Sequence, residues 1–228
     1  EEQVYRSKQL TAMGNLASGV AHEIRNPLNT IGTIIQQLNK DFEPKEDAED
    51  YHSFINLVYK EVKRINQTIE SFLKLAKPVP IQRSKFNLAK FLNEIYIQHK
   101  PILREKNIDL KITNGYRDDV NWDENQMRQI LLNLISNSIH AINENGLIQI
   151  STNLIDDNIE LEIKDNGKGI LQENLSKIFN LYFTTKAEGT GVGLGVVQNI
   201  ISEHGGVIIV ESDENVGTTF TIKLKKDI

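Results

Sequence analysis

The first chemical signal lies near the head of the chain, where His22 and Glu23 stand side by side in Ala21-His22-Glu23-Ile24-Arg25-Asn26-Pro27-Leu28. A carboxylate beside an imidazole can take the Nδ1 proton and leave Nε2 as a nucleophile. Val20 and Ile24 belong to an apolar helical stripe, so His22 is expected to point away from it. Asn26 follows one helical turn later, on the same face as His22. Pro27 removes the helical bond to the Glu23 carbonyl and invites a bend beside the pair. A lone surface histidine is ordinarily just solvated; it is the neighbours that set His22 apart. His52, His99 and His204 have no such company.

Three further clusters suit a phosphorylated ligand. Asp165-Asn166-Gly167-Lys168-Gly169-Ile170 leaves a strand directly into a glycine-rich loop. Its aspartate can accept a hydrogen bond from an exocyclic amine, although the same pattern also occurs in plain turns. Gly189-Thr190-Gly191-Val192-Gly193-Leu194-Gly195 opens a helix, and bare amides at a helix N-terminus favour anions. It lacks the G-K-[ST] ending of a P-loop and the strand and ribose carboxylate of a dinucleotide fold; by itself it is equally a hinge. Asn133 and Asn137 stand four apart on one face of an otherwise apolar helix. Asparagine is a poor helix former, and amide oxygens suit a hard cation such as Mg²⁺. Phe179 and Phe183 read as core aromatics.

The elements that must carry these residues fall into two groups. Apolar residues at Met13, Leu16, Val20, Ile24, Leu28, Ile31, Ile35 and Leu38 form one helical stripe, and Tyr51, Phe54, Val58, Val62, Ile65, Ile69, Phe72 and Leu75 form another. The acidic stretch Asp41–Asp50, with Pro44 inside it, joins them into an antiparallel hairpin. Alone, that hairpin leaves one side of each stripe exposed, so a homodimeric four-helix bundle is expected; a helix pair packed on the rest of its own chain is the alternative. Lys77-Pro78-Val79-Pro80 ends the second helix. Beyond it, helices are expected over Phe86–Glu105, Glu124–Ile142 and Val192–His204. Strands are expected over Ile108–Ile112, Leu147–Leu154, Ile159–Asp165, Val207–Glu211 and Thr218–Leu224. That pattern suggests an α+β sandwich with helices on one face of a sheet. The domains so defined are a hairpin over residues 1–77, a linker over 78–85 and an α+β domain over 86–228.

Bulk properties narrow the field. The 228 residues are 39% hydrophobic and 25% charged, enough apolar material for a core. A net charge of −5 argues against a nucleic-acid partner, which demands a basic face. Cysteine is absent, which removes disulfides and thiolate metal sites and suits a reducing, cytoplasmic setting. No apolar run approaches the roughly 20 residues that span a bilayer. Glu1 is not a natural start, so the chain is expected to be a fragment, with any membrane anchor in upstream segments.

Taken in order, the asparagine helix, D-x-G-x-G, F-x-x-x-F and G-x-G-x-G resemble the N, G1, F and G2 boxes of the GHKL-type (Bergerat) ATP-binding domain. Histidine kinases, gyrases and mismatch-repair ATPases share that domain. The segment around His22 resembles the H box of two-component sensor histidine kinases alone. The shape of that box and the short stretch from Phe183 to Gly189 are most similar to the nitrogen-regulatory branch. The resemblance implies Mg²⁺·ATP-dependent phosphorylation of His22, with Glu23 accepting its proton. It also implies transfer to an aspartate on the receiver domain of a response regulator, and removal of phosphate from that partner with Asn26 holding the water. Asp165 would bind the adenine amine with Thr219 nearby, and Gly167 and Gly169 would shape that loop. Asn137 would hold Mg²⁺ and Asn133 would support the phosphates. Lys186, Gly189, Gly191, Gly193 and Leu194 would line the phosphate end under a mobile lid. Three residues depart from the pattern: His140 where a basic residue is usual, Ser138 where alanine is common, and Gly195 where serine or alanine is common. A docking scaffold that binds nucleotide without transferring it, or a gyrase-type clamp, are the rivals. Intact His22, Glu23, Asn137 and Asp165 count against the first, and the H box is superfluous in the second.

Overall fold

The computed structural model describes residues 24–44, 48–76, 80–143, 145–186 and 189–226. The chain divides into two compact units. The first ends at Val79 and also takes in Thr184–Val192; the second comprises Pro80–Phe183 and Gly193–Ile228.

In the first unit, helix α1 runs through residues 24–41 and α2 spans Ala48–Ala76. Glu49 and Asp50 stand in the first turn of α2, where they oppose the positive end of the helix dipole. Leu28, Ile55 and Val62 are buried between the helices. A Cβ on Gly32 would lie 3.6 Å from Val62, which marks a close crossing. Gln36 Nε2 donates to the Tyr59 hydroxyl (2.8 Å), the Tyr51 hydroxyl donates to the Leu38 carbonyl (3.1 Å), and His52 Nδ1 meets Asn39 Oδ1 (2.8 Å). From Gly32–Val62 through Gln36–Tyr59 to Asn39–His52 the contacts run in opposite senses along the two helices, so the hairpin is antiparallel. Ile24, Ile31, Phe54, Leu57 and Val58 remain exposed. The apolar stripes are therefore wider than one hairpin can bury.

The second unit opens with strand β1 (Ser84–Asn87), which pairs antiparallel with β3 (Asp119–Trp122). Between them lie helix α3 (Leu88–Glu105) and strand β2 (Ile108–Asn114); helix α4 (Glu124–Ala141) follows β3. Strands β4 (Gly146–Ile155) and β5 (Asn158–Asp165), the short helix α5 (Gln172–Leu175), helix α6 (Gly193–Glu203), and strands β6 (Val207–Asp213) and β7 (Gly217–Lys225) complete it. The main sheet has five strands in the order β2-β4-β5-β7-β6; β2 and β4 are parallel and every other pair is antiparallel. Ile148 and Ile150 of β4, Ile159, Leu161 and Ile163 of β5, and Phe220, Ile222 and Leu224 of β7 turn inward by the period of two that a one-sided sheet requires. Against them α4 lays Ile130, Leu131, Leu134 and Ile135, all at most 1% exposed.

The sequence places a helix at Phe86, but α3 starts at Leu88. Asn87 caps it, accepting from the Lys90 amide at 3.1 Å, while Phe86 pairs with Val120 in the β1–β3 ladder. Ser84 and Lys85, set within the linker by sequence, stand in β1. Strand β3 escapes notice because Asp119 and Asn121 read as turn residues. Its anchor is Trp122, 1% exposed, whose indole N–H donates to the Lys225 carbonyl at 2.8 Å.

Asp123 joins several elements. Its carboxylate caps α4 through the Gln126 amide (3.1 Å) and also accepts from the Gln82 amide (2.8 Å). Its own N–H donates to Nε2 of buried His204 (3.4 Å), which leaves His204 Nδ1–H to donate to the Ile200 carbonyl (2.9 Å). Among the described residues, no helix is long and apolar enough to cross a membrane. Asp123→Ala removes the cap and the acceptor for Gln82 together. It should cost the second unit about 1–2 kcal/mol and lower its melting temperature by several degrees. Asp123→Asn, which keeps an acceptor, should recover most of the loss in thermal denaturation.

Candidate functional site

The C-terminal half of α4 carries the asparagines. Asn133 and Asn137 are half-buried on one face. The Asn133 amide donates to the Gly193 carbonyl at 3.3 Å, fixing the first residue of α6. His140 is exposed, with Nδ1 engaged by Ser136 of its own helix. Ser138 turns the other way, into the core, where it is 1% exposed.

Asp165 is the inward-facing position that follows Ile163 at the end of β5, and it is 4% exposed. An ionised carboxylate so placed needs donors to replace water. The Gly167 amide donates to Oδ1 (2.9 Å) and the Ser138 hydroxyl donates to Oδ2 (2.8 Å). The loop that follows is pinned on both sides. The Lys168 amide donates to the Ala141 carbonyl at the end of α4 (2.9 Å), and the Asn215 amide donates to the Lys168 carbonyl (2.8 Å). A Cβ on Gly167 would lie 2.7 Å from Ala141 Cβ, and Gly169 has φ +70° and backs onto the Asp213 carbonyl. These two glycines thus let the loop approach α4 and β6, where sequence alone suggests approach to a ligand.

The sheet register corrects one expectation. In the β5–β7 ladder Asp165 stands opposite Thr218, whereas Thr219 stands opposite Lys164. Opposed residues share a face of the sheet, so Thr218 is the threonine on the Asp165 side and Thr219 projects from the other face. Thr218 is buried and shares a hydrogen bond with Ser212 (2.9 Å between hydroxyl oxygens), and the Ser212 hydroxyl accepts from the Ile170 amide (2.9 Å). Ser212 and Thr218 brace the glycine loop from β6 and β7. Ser212 is not flagged by the motifs, since a hydroxyl in a strand carries no spacing signal; Thr218 directly precedes the Thr219 that the resemblance picks out.

Ile178 is buried, and Phe179 and Phe183 are half-buried. A Cβ on Gly195 would lie 2.8 Å from Leu181 Cδ2 and 3.3 Å from the Phe179 carbonyl. The departure from serine or alanine there has a packing reason. Leu194 is half-buried beside it. Lys186, Gly189 and Gly191 belong to Thr184–Val192, in the first unit. Within that stretch the Lys186 amide donates to Thr184 Oγ1 (3.1 Å), the Gly189 amide donates to the Lys186 carbonyl (3.2 Å), and Gly191 has φ +67°. His22 and Glu23 lie outside the described residues. Asn26 is exposed on α1, and its carbonyl accepts from the Thr30 hydroxyl (3.1 Å).

In the second unit, then, the structure gathers the α4 asparagines, the start of α6 and a buried carboxylate with its glycine loop at one end of a one-sided sheet. That is the architecture of an ATP-binding α+β domain. Residues 122–228 match the family described as histidine kinase-, DNA gyrase B- and HSP90-like ATPase, and residues 12–79 match the His Kinase A (phospho-acceptor) domain. The catalytic domain of histidine kinase ThkA is 35% identical, with a TM-score of 0.60, over 64% of this chain and 97% of that one. The chain belongs to the histidine kinase family. It is also similar to the sensor histidine kinase ZraS of Escherichia coli (strain K12), 37% identical over 100% of this chain and 49% of that protein. The longer histidine kinase ThkA, solved in complex with the response regulator protein TrrA, is 31% identical with a TM-score of 0.72, covering 99% of this chain and 65% of that one. The chain therefore spans about half the length of the curated relatives it matches.

Gly169→Ala must place a side chain at a positive φ and against the Asp213 carbonyl. It should cost about 2 kcal/mol or more and weaken nucleotide binding, as read by paired thermal melts and calorimetric titration.

Proposed function

We propose that this chain is the catalytic core of a sensor histidine kinase that phosphorylates its own His22 and passes the phosphoryl group to a response regulator. The observation that carries the reading is buried Asp165, held by two donors at the head of a glycine loop, in a chain whose other unit matches a phospho-acceptor domain. His22 Nε2 attacks the γ-phosphorus of ATP, the bond to the β–γ bridging oxygen breaks, ADP leaves, and Glu23 takes the Nδ1 proton. A receiver-domain aspartate then displaces the imidazole from the phosphorus. Support for such a partner comes from ThkA, solved with TrrA. Positioning and charge neutralisation supply most of what a phosphoryl transfer needs.

Mg²⁺ fits the donors present. Asn137 offers a neutral amide oxygen, and Mg²⁺ commonly takes one or two protein ligands with substrate phosphates and water. Bound there, it would neutralise phosphate charge. Asn133, His140 and the helix α6 start at Gly193 and Leu194 are the other phosphate-side groups of this reading, with Lys186, Gly189 and Gly191 from the separate stretch. The exposed Ile24, Ile31, Phe54, Leu57 and Val58 support a homodimer through the hairpin. Dependence on ATP favours a cytoplasmic setting, with any membrane anchor supplied by other segments of the whole protein. The form of the H box supports a likeness to the nitrogen-regulatory branch.

Incubation with γ-labelled ATP and Mg²⁺ should leave acid-labile, base-stable label on the protein. His22→Gln should abolish that label and keep nucleotide affinity within about two-fold, because phosphoramidates of this kind form only at the nucleophile. Acid-stable label persisting in the variant would refute the assignment.

A second activity is supported by Asn26, which is exposed on α1 and follows His22 by four residues in the sequence. An amide offers a donor and an acceptor but no base near neutral pH, so it can hold a water in line with a docked phospho-aspartate. Attack of that water releases inorganic phosphate and restores the carboxylate. Asn26→Ala should slow dephosphorylation of the regulator by roughly ten-fold or more while His22 labelling changes little. A parallel fall in both rates would mean that Asn26 only supports the helix.

A further inference from the structure

We infer that Ser138 is a positioning residue for base selection: it holds the Asp165 carboxylate in the plane that accepts from the 6-amino group of adenine. The inference rests on the reading of Asp165 as the adenine acceptor. Ser138 occupies a core position of α4, in line with Leu131, Leu134 and Ile135, and is 1% exposed. A hydroxyl in such a stripe is costly unless it is hydrogen-bonded. Its proton is committed to Asp165 Oδ2 at 2.8 Å, while the Gly167 amide holds Oδ1 at 2.9 Å. Two donors on different oxygens stop rotation about the Cβ–Cγ bond. The Ser138 donor, added to the Gly167 amide on the other oxygen, sets the plane of the carboxylate and with it the direction in which it accepts. Because Ser138 directly follows Asn137, the same turn of α4 fixes the base-reading carboxylate and presents the phosphate-side amide. Alanine at this position would keep the helix and the packing but lose the second donor.

The test compares ADP with IDP, which lacks the 6-amino donor and presents a carbonyl oxygen there. Neither is turned over, so calorimetric titration of the whole chain with Mg²⁺ reads affinity alone. Ser138→Ala should weaken ADP roughly ten-fold, the worth of one charge-assisted hydrogen bond, and IDP by less than about two-fold. A role in packing alone would weaken both alike. Asp165→Asn should abolish the ADP preference, and adding Ser138→Ala to it should change the ratio no further. Should Ser138→Ala fail to fold, Ser138→Cys keeps the shape with a weak donor and should lose part of the preference. An unchanged ADP-to-IDP ratio in a folded Ser138 variant, alongside its collapse in Asp165→Asn, overturns the inference and leaves the adenine reading standing. An unchanged ratio in Asp165→Asn overturns both.

Discussion

Helix α4 is fixed at its two ends by different means, and the second unit depends on both. At its start, the Asp123 carboxylate satisfies amides of the helix and of the incoming chain at Gln82. At its end, the Ala141 carbonyl takes the Lys168 amide from the glycine loop, and Ser138 bonds Asp165. Between these points, residues such as Leu134 and Ile135 are almost free of solvent. The helix cannot slide or roll by a residue without breaking polar contacts at both ends, because buried polar groups tolerate no loss of partners. The asparagine pair inherits that rigidity.

Burial of Asp165 sets a second constraint. A carboxylate that is 4% exposed must be met by donors from its own neighbourhood. The loop that supplies one of them turns at positive φ in Gly169 and lies flush on Ala141 at Gly167. Glycine is required here by the protein's own backbone before any ligand arrives. The motif that marks the site thus records a folding demand as much as a binding one. Ser212 and Thr218 extend the bracing to β6 and β7, strands remote in sequence from the loop.

Much of this was legible in the residues, and what was not has physical causes. The long elements announced themselves through period: α2 by its three-and-four stripe, β4 and β5 by alternation on either side of a polar turn at Asp156-Asp157-Asn158. Strands β1 and β3 were hidden because each is four residues long, with three polar positions in β1 and two in β3, and they exist only by pairing with each other. The resemblance puts Thr219 near Asp165, whereas the register sets Thr218 directly opposite it. A one-residue shift reverses the face of a strand, and motif spacing alone does not fix register. In the sequence Ser138 stands out only as a departure from a pattern; its burial in line with Leu131, Leu134 and Ile135 is a finding of the structure. What it meets inside depends on how α4 packs over the end of β5, which only the folded domain reveals.

The place of β7 in the sheet bears on how the protein is made. The last strand in the sequence lies between β5 and β6, and the Lys225 carbonyl closes a bond to the Trp122 indole across 103 residues. Until the ribosome has passed Lys225, β5 keeps a bare edge and the core lacks Phe220, Ile222 and Leu224. The helical hairpin, built from near neighbours, can form as it emerges, but the α+β unit must wait for its final strand. A prematurely ended chain would carry a formed hairpin tethered to an open sheet edge, the kind of surface that quality-control proteases and aggregation both seek out.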